Sequence, residues 1–209
     1  MLMHVSCMLQ SLEESKNKPF SVGPFGSNGG DAIWDDGVHS TVRQVVIYAD
    51  VKGIRWIQIE YDDNGSSVWS EKHGSDYPML QTPKTYKVEL DYPDEFFTSV
   101  YGYYTDSRFI PTHLTKLIFR SNRRSYGPFG VEDFLTRSFS IEASGQKIVG
   151  FHGRVHSWWL LRALGAYFMI IIGMETFATH QNIYFHLGIL LLKPSRGKTE
   201  KLSKTYLIL

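Results

Sequence analysis

The stretch HLTKLIFRSNRRSYGPFG, residues 113–130, decides the reading of the fold. Thr115, Leu117 and Phe119 fall on one side of an extended chain. Lys116, Ile118 and Arg120 fall on the other, the period-2 signature of a half-buried strand. The stretch ends in Gly127-Pro128-Phe129-Gly130, and the same four residues occur at Gly23-Pro24-Phe25-Gly26. Two matches of this length fit a fold with internal pseudosymmetry.

Working outward, the same period recurs. Val42 to Tyr48 is an apolar strand, and Asp50 to Gly53 turns the chain. Ile57, Ile59 and Tyr61 alternate with Gln58 and Glu60. Asp62-Asp63-Asn64-Gly65 is a hairpin turn, because Asn-Gly tolerates positive φ. Tyr86, Val88 and Leu90 alternate with Lys87 and Glu89; Phe139 and Ile141 alternate with Ser138, Ser140 and Glu142. Turn signals every 8–12 residues are the rhythm of a sandwich, barrel or prism. No helix is predicted before residue 160. An aromatic content of 14% and 18 glycines point the same way.

A net charge of +1 argues against a nucleic-acid binder, which needs a basic field to neutralise phosphate. The basic residues concentrate in 193–204, where Lys193, Arg196, Lys198, Lys201 and Lys204 face Glu200 alone, the pattern of a solvated end. Cys7 is the single cysteine, so no internal disulfide forms and a reducing compartment is expected. Residues 1–18 lack the basic start and cleavage site of a signal peptide, so secretion is not expected. Two apolar runs, Trp158 to Met174 (broken by Arg162) and Ile183 to Leu192, are too short or interrupted to predict a membrane span. No Gly-x-Ser-x-Gly, phosphate loop or zinc spacing is present, so catalytic residues, metal and cofactors are all expected to be none.

Several blocks together resemble the jacalin-related lectin domain. They are Val22-Gly23-Pro24-Phe25-Gly26 with Asn28-Gly29-Gly30-Asp31, and His113 to Asn122 followed by Tyr126 to Gly130. Ile148-Val149-Gly150-Phe151-His152-Gly153-Arg154 and Leu164-Gly165-Ala166-Tyr167 complete the set. The resemblance implies an all-β β-prism of three four-stranded Greek-key sheets over residues 18–168. Residues 1–17 are then an N-terminal extension and 169–209 an atypical apolar and basic tail. It also implies glycan partners of the mannose or glucose type, a cytoplasmic or nuclear location, and a dimer or tetramer.

The resemblance further implies where sugar binds: a glycine of the first loop and a late Gly-x-x-x-Asp motif. Gly29 and Gly30 match the first part, and serve a tight turn equally well. Counting back from Leu164-Gly165 puts the Asp position on Arg162 and the Gly position on Trp158. Counting forward from Gly150 to Arg154 puts them on Leu160 and His156. The disagreement predicts a loop lengthened by two residues. Neither alignment supplies a carboxylate, and no Asp follows Asp133. A carboxylate accepts from two vicinal hydroxyls, whereas Arg162 only donates. The candidate carbohydrate-binding residues are therefore Gly29, Gly30, His156, Trp158, Trp159 and Arg162. Asp35, Asp36 and Asp106 are the candidate substitute acceptors. Tyr103, Tyr104 and Arg108 are expected in a specificity loop running from Tyr101 to His113. The hairpin Asp50-Val51-Lys52-Gly53, with Lys52 where an acid would help, is not expected to form a second site. The expected function is a carbohydrate-binding module of plant stress or defence with a degenerate mannose or glucose site. A protein-interaction module on the same fold is the alternative.

Overall fold

The alternations become strands. A computed structural model describes residues 18–29, 32–75, 83–107, 109–131, 135–156 and 160–171. Every regular element among them is a strand, and no helix among them is long and apolar enough to cross a membrane. The strands are β1 (Phe20–Gly26), β2 (Ala32–Asp35), β3 (Thr41–Asp50), β4 (Gly53–Asp63), β5 (Ser66–Trp69), β6 (His73–Gly74) and β7 (Lys84–Glu89). They continue with β8 (Phe97–Thr105), β9 (Leu114–Ser121), β10 (Ser125–Gly130), β11 (Thr136–Glu142), β12 (Gln146–Val155) and β13 (Leu161–Ile170).

Three antiparallel sheets result. Sheet A has the order β1-β13-β12-β2, sheet B the order β5-β4-β3-β7, and sheet C the order β10-β9-β8-β11. The expectation of four strands per sheet needs one correction: sheet B carries a fifth, β6, which pairs with β4. Its outer strand is interrupted between Trp69 and His73. The inward positions of the alternations meet between the sheets. Val45, Ile47, Ile57 and Ile59 from sheet B join Val100, Leu117 and Phe119 from sheet C and Ile148, Phe151, Leu164 and Phe168 from sheet A. The last strand runs to Ile170, and Met169 and Ile170 still pair with Lys147 and Gln146. The strand thus passes the expected end at residue 168, because the ladder to β12 continues.

The repeated Gly-Pro-Phe-Gly is a structural repeat. In β1 the pairing with β13 slips between Val22 and Phe25; in β10 the pairing with β9 slips between Tyr126 and Phe129. In both copies the closing glycine has positive φ and sits where a Cβ would strike a carbonyl of the next strand. Gly26 would strike Arg162 O and Gly130 would strike Thr115 O. The following amide then donates to that same carbonyl: Ser27 N to Arg162 O at 3.0 Å, Val131 N to Thr115 O at 2.9 Å. Sheet B repeats the geometry with Gly74, whose Cβ would strike Arg55 O, and Ser75 N donates to Arg55 O at 3.3 Å. The three sheets are therefore related residue by residue, with Arg162, Thr115 and Arg55 in equivalent places.

This crowding makes a prediction. Gly130→Ala combines a positive φ with a Cβ 2.1 Å from Thr115 O. Its backbone strain alone is worth about 1–3 kcal/mol. Gly65→Ala has a positive φ with nothing within 4 Å of its Cβ. Urea unfolding should show a clearly lower midpoint for Gly130→Ala than for Gly65→Ala. Equal midpoints would mean that the close approach carries no cost.

Sheets A and B are joined by a buried polar cluster. Asp36, just after β2, accepts from Tyr61 Oη at 2.7 Å and lies 2.6 Å from His73 Nε2. Trp34 stacks on His73 at 3.8 Å. Burial beside Asp36 pushes the Tyr61 phenol well above its ordinary value.

Candidate carbohydrate-binding site

Sheet A places the site. β1 ends at Gly26 beside Ala163, and β2 begins at Ala32 beside Val155. The β1–β2 loop and the β12–β13 loop therefore lie at the same end of one sheet. The second loop spans residues 156–160, between Val155 and Leu161.

Ser27 is the hub of what the structure describes there. Arg162 Nη2 donates to Ser27 Oγ at 2.8 Å, and Gly29 N donates to the same oxygen at 3.1 Å. Gly29 is exposed, with open space above it: a Cβ there would meet only Ser27 Oγ, at 3.8 Å. Arg162 thus sits at the second position of β13 with its guanidinium turned to a hydroxyl. Its equivalent in sheet B, Arg55, instead meets a carboxylate: Nε donates to Asp50 Oδ2 at 2.6 Å.

Arg162, His156, Leu160, Pro111 and His113 line a cavity of about 30 Å³. That is the share of roughly one water molecule. His113 ties the two flanking loops together. Its Nδ1 lies 2.8 Å from Pro111 O and its Nε2 lies 2.9 Å from Lys52 O.

Of the six candidates, the structure brings Arg162 and His156 together on this cavity, with Gly29 joined to Arg162 through Ser27. Gly30, Trp158 and Trp159 lie outside the described residues, as does Arg108. The three candidate acceptors are committed elsewhere. Asp35 accepts from Gly37 N and Tyr167 Oη, Asp36 from Tyr61 Oη, and Asp106 from Arg137 Nε. None of them lines the cavity. The expected specificity loop also needs correction. Tyr101, Tyr103 and Tyr104 lie within β8, because an aromatic run alternating in and out extends the ladder to Thr105. Tyr103 faces outward under Lys116, and Tyr104 packs on Phe139. Asp50 is likewise occupied, by Arg55 and by Lys52 N at 2.7 Å.

Sequence reasoning missed Ser27 and Pro111. Ser27 carried a signal, since a hydroxyl two residues before a glycine commonly accepts that residue's amide. Pro111 lies inside the expected specificity loop, but its place on the cavity depends on how that loop folds against segments remote in sequence.

A nucleophile–base contact occurs on the outer face of sheet A, where Ser21 Oγ lies 2.7 Å from His152 Nε2. Partial burial holds the imidazole below its ordinary value, with Asp35 opposing. Asp35 is bonded to Tyr167 and Gly37, and the His152 ring fills the space above Gly165. The contact packs on the outer face of the sheet, and neither Ser21 nor His152 lines the cavity beside Arg162.

Comparison with known proteins agrees with this architecture. The profile of the Jacalin-like lectin domain matches residues 22–167. Jacalin-related lectin 3 of Arabidopsis thaliana is 46% identical over 161 residues, which is 77% of this chain and 25% of that protein. Myrosinase-binding protein 2 of the same plant is 37% identical over 130 residues, 62% of this chain and 19% of that protein. The chain thus spans a quarter or less of these two relatives. Among solved structures, that of artocarpin in complex with mannotriose superposes with a TM-score of 0.63 at 33% identity. It covers 73% of this chain and 99% of artocarpin.

Proposed function

The chain belongs to the jacalin-like lectin family, and from that premise we propose that it is a carbohydrate-binding module whose inherited mannose or glucose site is degenerate. One observation supports the reading above others. Arg162, a pure donor turned to the Ser27 hydroxyl, stands where one alignment of the late motif requires an acceptor. Losing a charge-assisted acceptor costs roughly 1.5–3 kcal/mol, or about one to two decades of affinity.

Titration calorimetry with mannose tests this. The wild type should show no saturable heat, and Arg162→Asp should gain measurable binding, about ten- to hundred-fold tighter. Wild-type binding at millimolar affinity or better would sink the proposal.

A second reading, a protein-interaction module, is favoured by a different observation. Phe109 is 95% exposed and Ile110 48% exposed on the β8–β9 loop, beside the closed cavity. Apolar tips of this kind serve protein contacts, and one relative is named for binding myrosinase. Retention on immobilised myrosinase that mannose does not diminish, and that Phe109→Ala weakens, would favour this reading over sugar binding.

The proposal extends to setting. A single cysteine is consistent with a reducing cytoplasmic or nuclear location, and the plant relatives with a role in stress or defence. The family resemblance also supports a homo-oligomer, which light scattering on the purified chain would check.

A further inference from the structure

A second opening lies at the other end of sheet A. β12 rises from Gln146 to Val155, so its start is about 30 Å from the degenerate site. There the β11–β12 turn, the start of β8 and the residue after β13 enclose a groove of about 530 Å³. A cavity of that size is in the range that holds small ligands.

Its chemistry is what the inherited site lacks. Glu142 presents a carboxylate held in place by Tyr101 Oη, which donates to Oε2 at 2.5 Å. Among the described residues nothing engages Oε1. Gln146 borders the groove, and its Oε1 is buried without a partner among the described residues. Turning that amide toward the groove would offer both a donor and an acceptor. Ser99 and Ser144 add hydroxyls, and the space above Gly145 is open, with nothing within 4 Å of where a Cβ would stand. Ala143 and Ile171 supply alkyl surface.

We propose that this groove is a carbohydrate-binding site for a neutral di- or trisaccharide. The Glu142 carboxylate accepts from vicinal hydroxyls, the serine and Gln146 groups complete the polar contacts, and Ala143 and Ile171 pack on the C–H face of a ring. The proposal shares with the reading above a carbohydrate-binding module, but places recognition at a different site.

The test uses the full chain, labelled with ¹⁵N and titrated with mannotriose, maltotriose and cellotriose. At least one should move the amides of Glu142 to Gln146 saturably. Glu142→Gln should weaken that binding about ten- to hundred-fold, the loss of one charge-assisted hydrogen bond. Ser144→Trp, at an exposed turn position, should abolish it by filling the groove. Unchanged unfolding midpoints in both variants would show that the fold is intact. The proposal is overturned if none of the three sugars moves these amides, or if the shifts survive both substitutions. Shifts confined to residues 27–29 and 156–162 would overturn it too. That last pattern would separately refute the degeneracy of the inherited site.

Discussion

Asp50→Ala is expected to lower the free energy of unfolding by about 3–5 kcal/mol, the usual cost of leaving a buried charge without its partner. Arg55 is 2% exposed and Asp50 8% exposed, so neither charge regains water when the other is removed. Asp50 also accepts from Lys52 N, which closes the β3–β4 turn. Chemical denaturation of three variants separates the pair from its surroundings. Asp50→Ala alone and Arg55→Met alone should both be strongly destabilised. The double variant should recover most of the loss, because a buried pair replaced by apolar groups costs little. Additive losses in the double variant would show that the two side chains act independently.

Glu95→Ala is expected to cost about 3 kcal/mol, the upper end of what hydrogen bonds to a charged group contribute. Glu95 is fully buried, yet receives a hydrogen bond from Asp91 N, Ser121 Oγ, Tyr126 Oη and both Nε and Nη2 of Arg124. These contacts pin the β9–β10 hairpin to the turn before β8. Arg124 is half exposed and regains water when Glu95 is lost, so the partly buried Ser121 and Tyr126 hydroxyls carry most of the cost. The Arg124 guanidinium, with Ser121, Asp91 N–H and Tyr126, holds the Glu95 carboxyl far below the ordinary carboxylate range, against the opposing effect of burial. A depressed carboxyl stabilises the fold fully above its unfolded pKa of 4.5 and loses that contribution as pH falls below it. Wild-type stability should therefore decline below about pH 4.5. Glu95→Gln should be less stable at neutral pH and show a shallower acid decline. An identical acid slope in the variant would remove Glu95 as its source.

Much of this protein was legible from local pattern. Period-2 alternation at Ile57-Ile59-Tyr61 and Leu117-Phe119 identified strands and their inner faces, because side chains on a strand alternate regardless of what they pack against. Asn64 with φ +50 and Gly65 with φ +90 form the expected hairpin turn, a property of those residue types alone. That no Asp follows Asp133 was legible as well. Tyr103 and Tyr104 were misplaced because strand ends depend on how far the neighbouring strand continues the ladder. That length is set by β11 and β9, not by the tyrosines themselves.

The sequence by itself determined an all-β chain and its repeated Gly-Pro-Phe-Gly, because these rest on residue type and short-range spacing. Only the tertiary structure decided that Gly74 is the third equivalent of Gly26 and Gly130, since it shares their backbone environment but not their neighbours in sequence. The same holds for Arg162, whose donation to Ser27 joins residues 135 positions apart. It also holds for the groove beneath Glu142, walled by three segments that meet only once β8, β11, β12 and β13 have found their registers. A strand's pattern says which way its side chains point; what they point at is set by bulges and pairings that other parts of the chain supply.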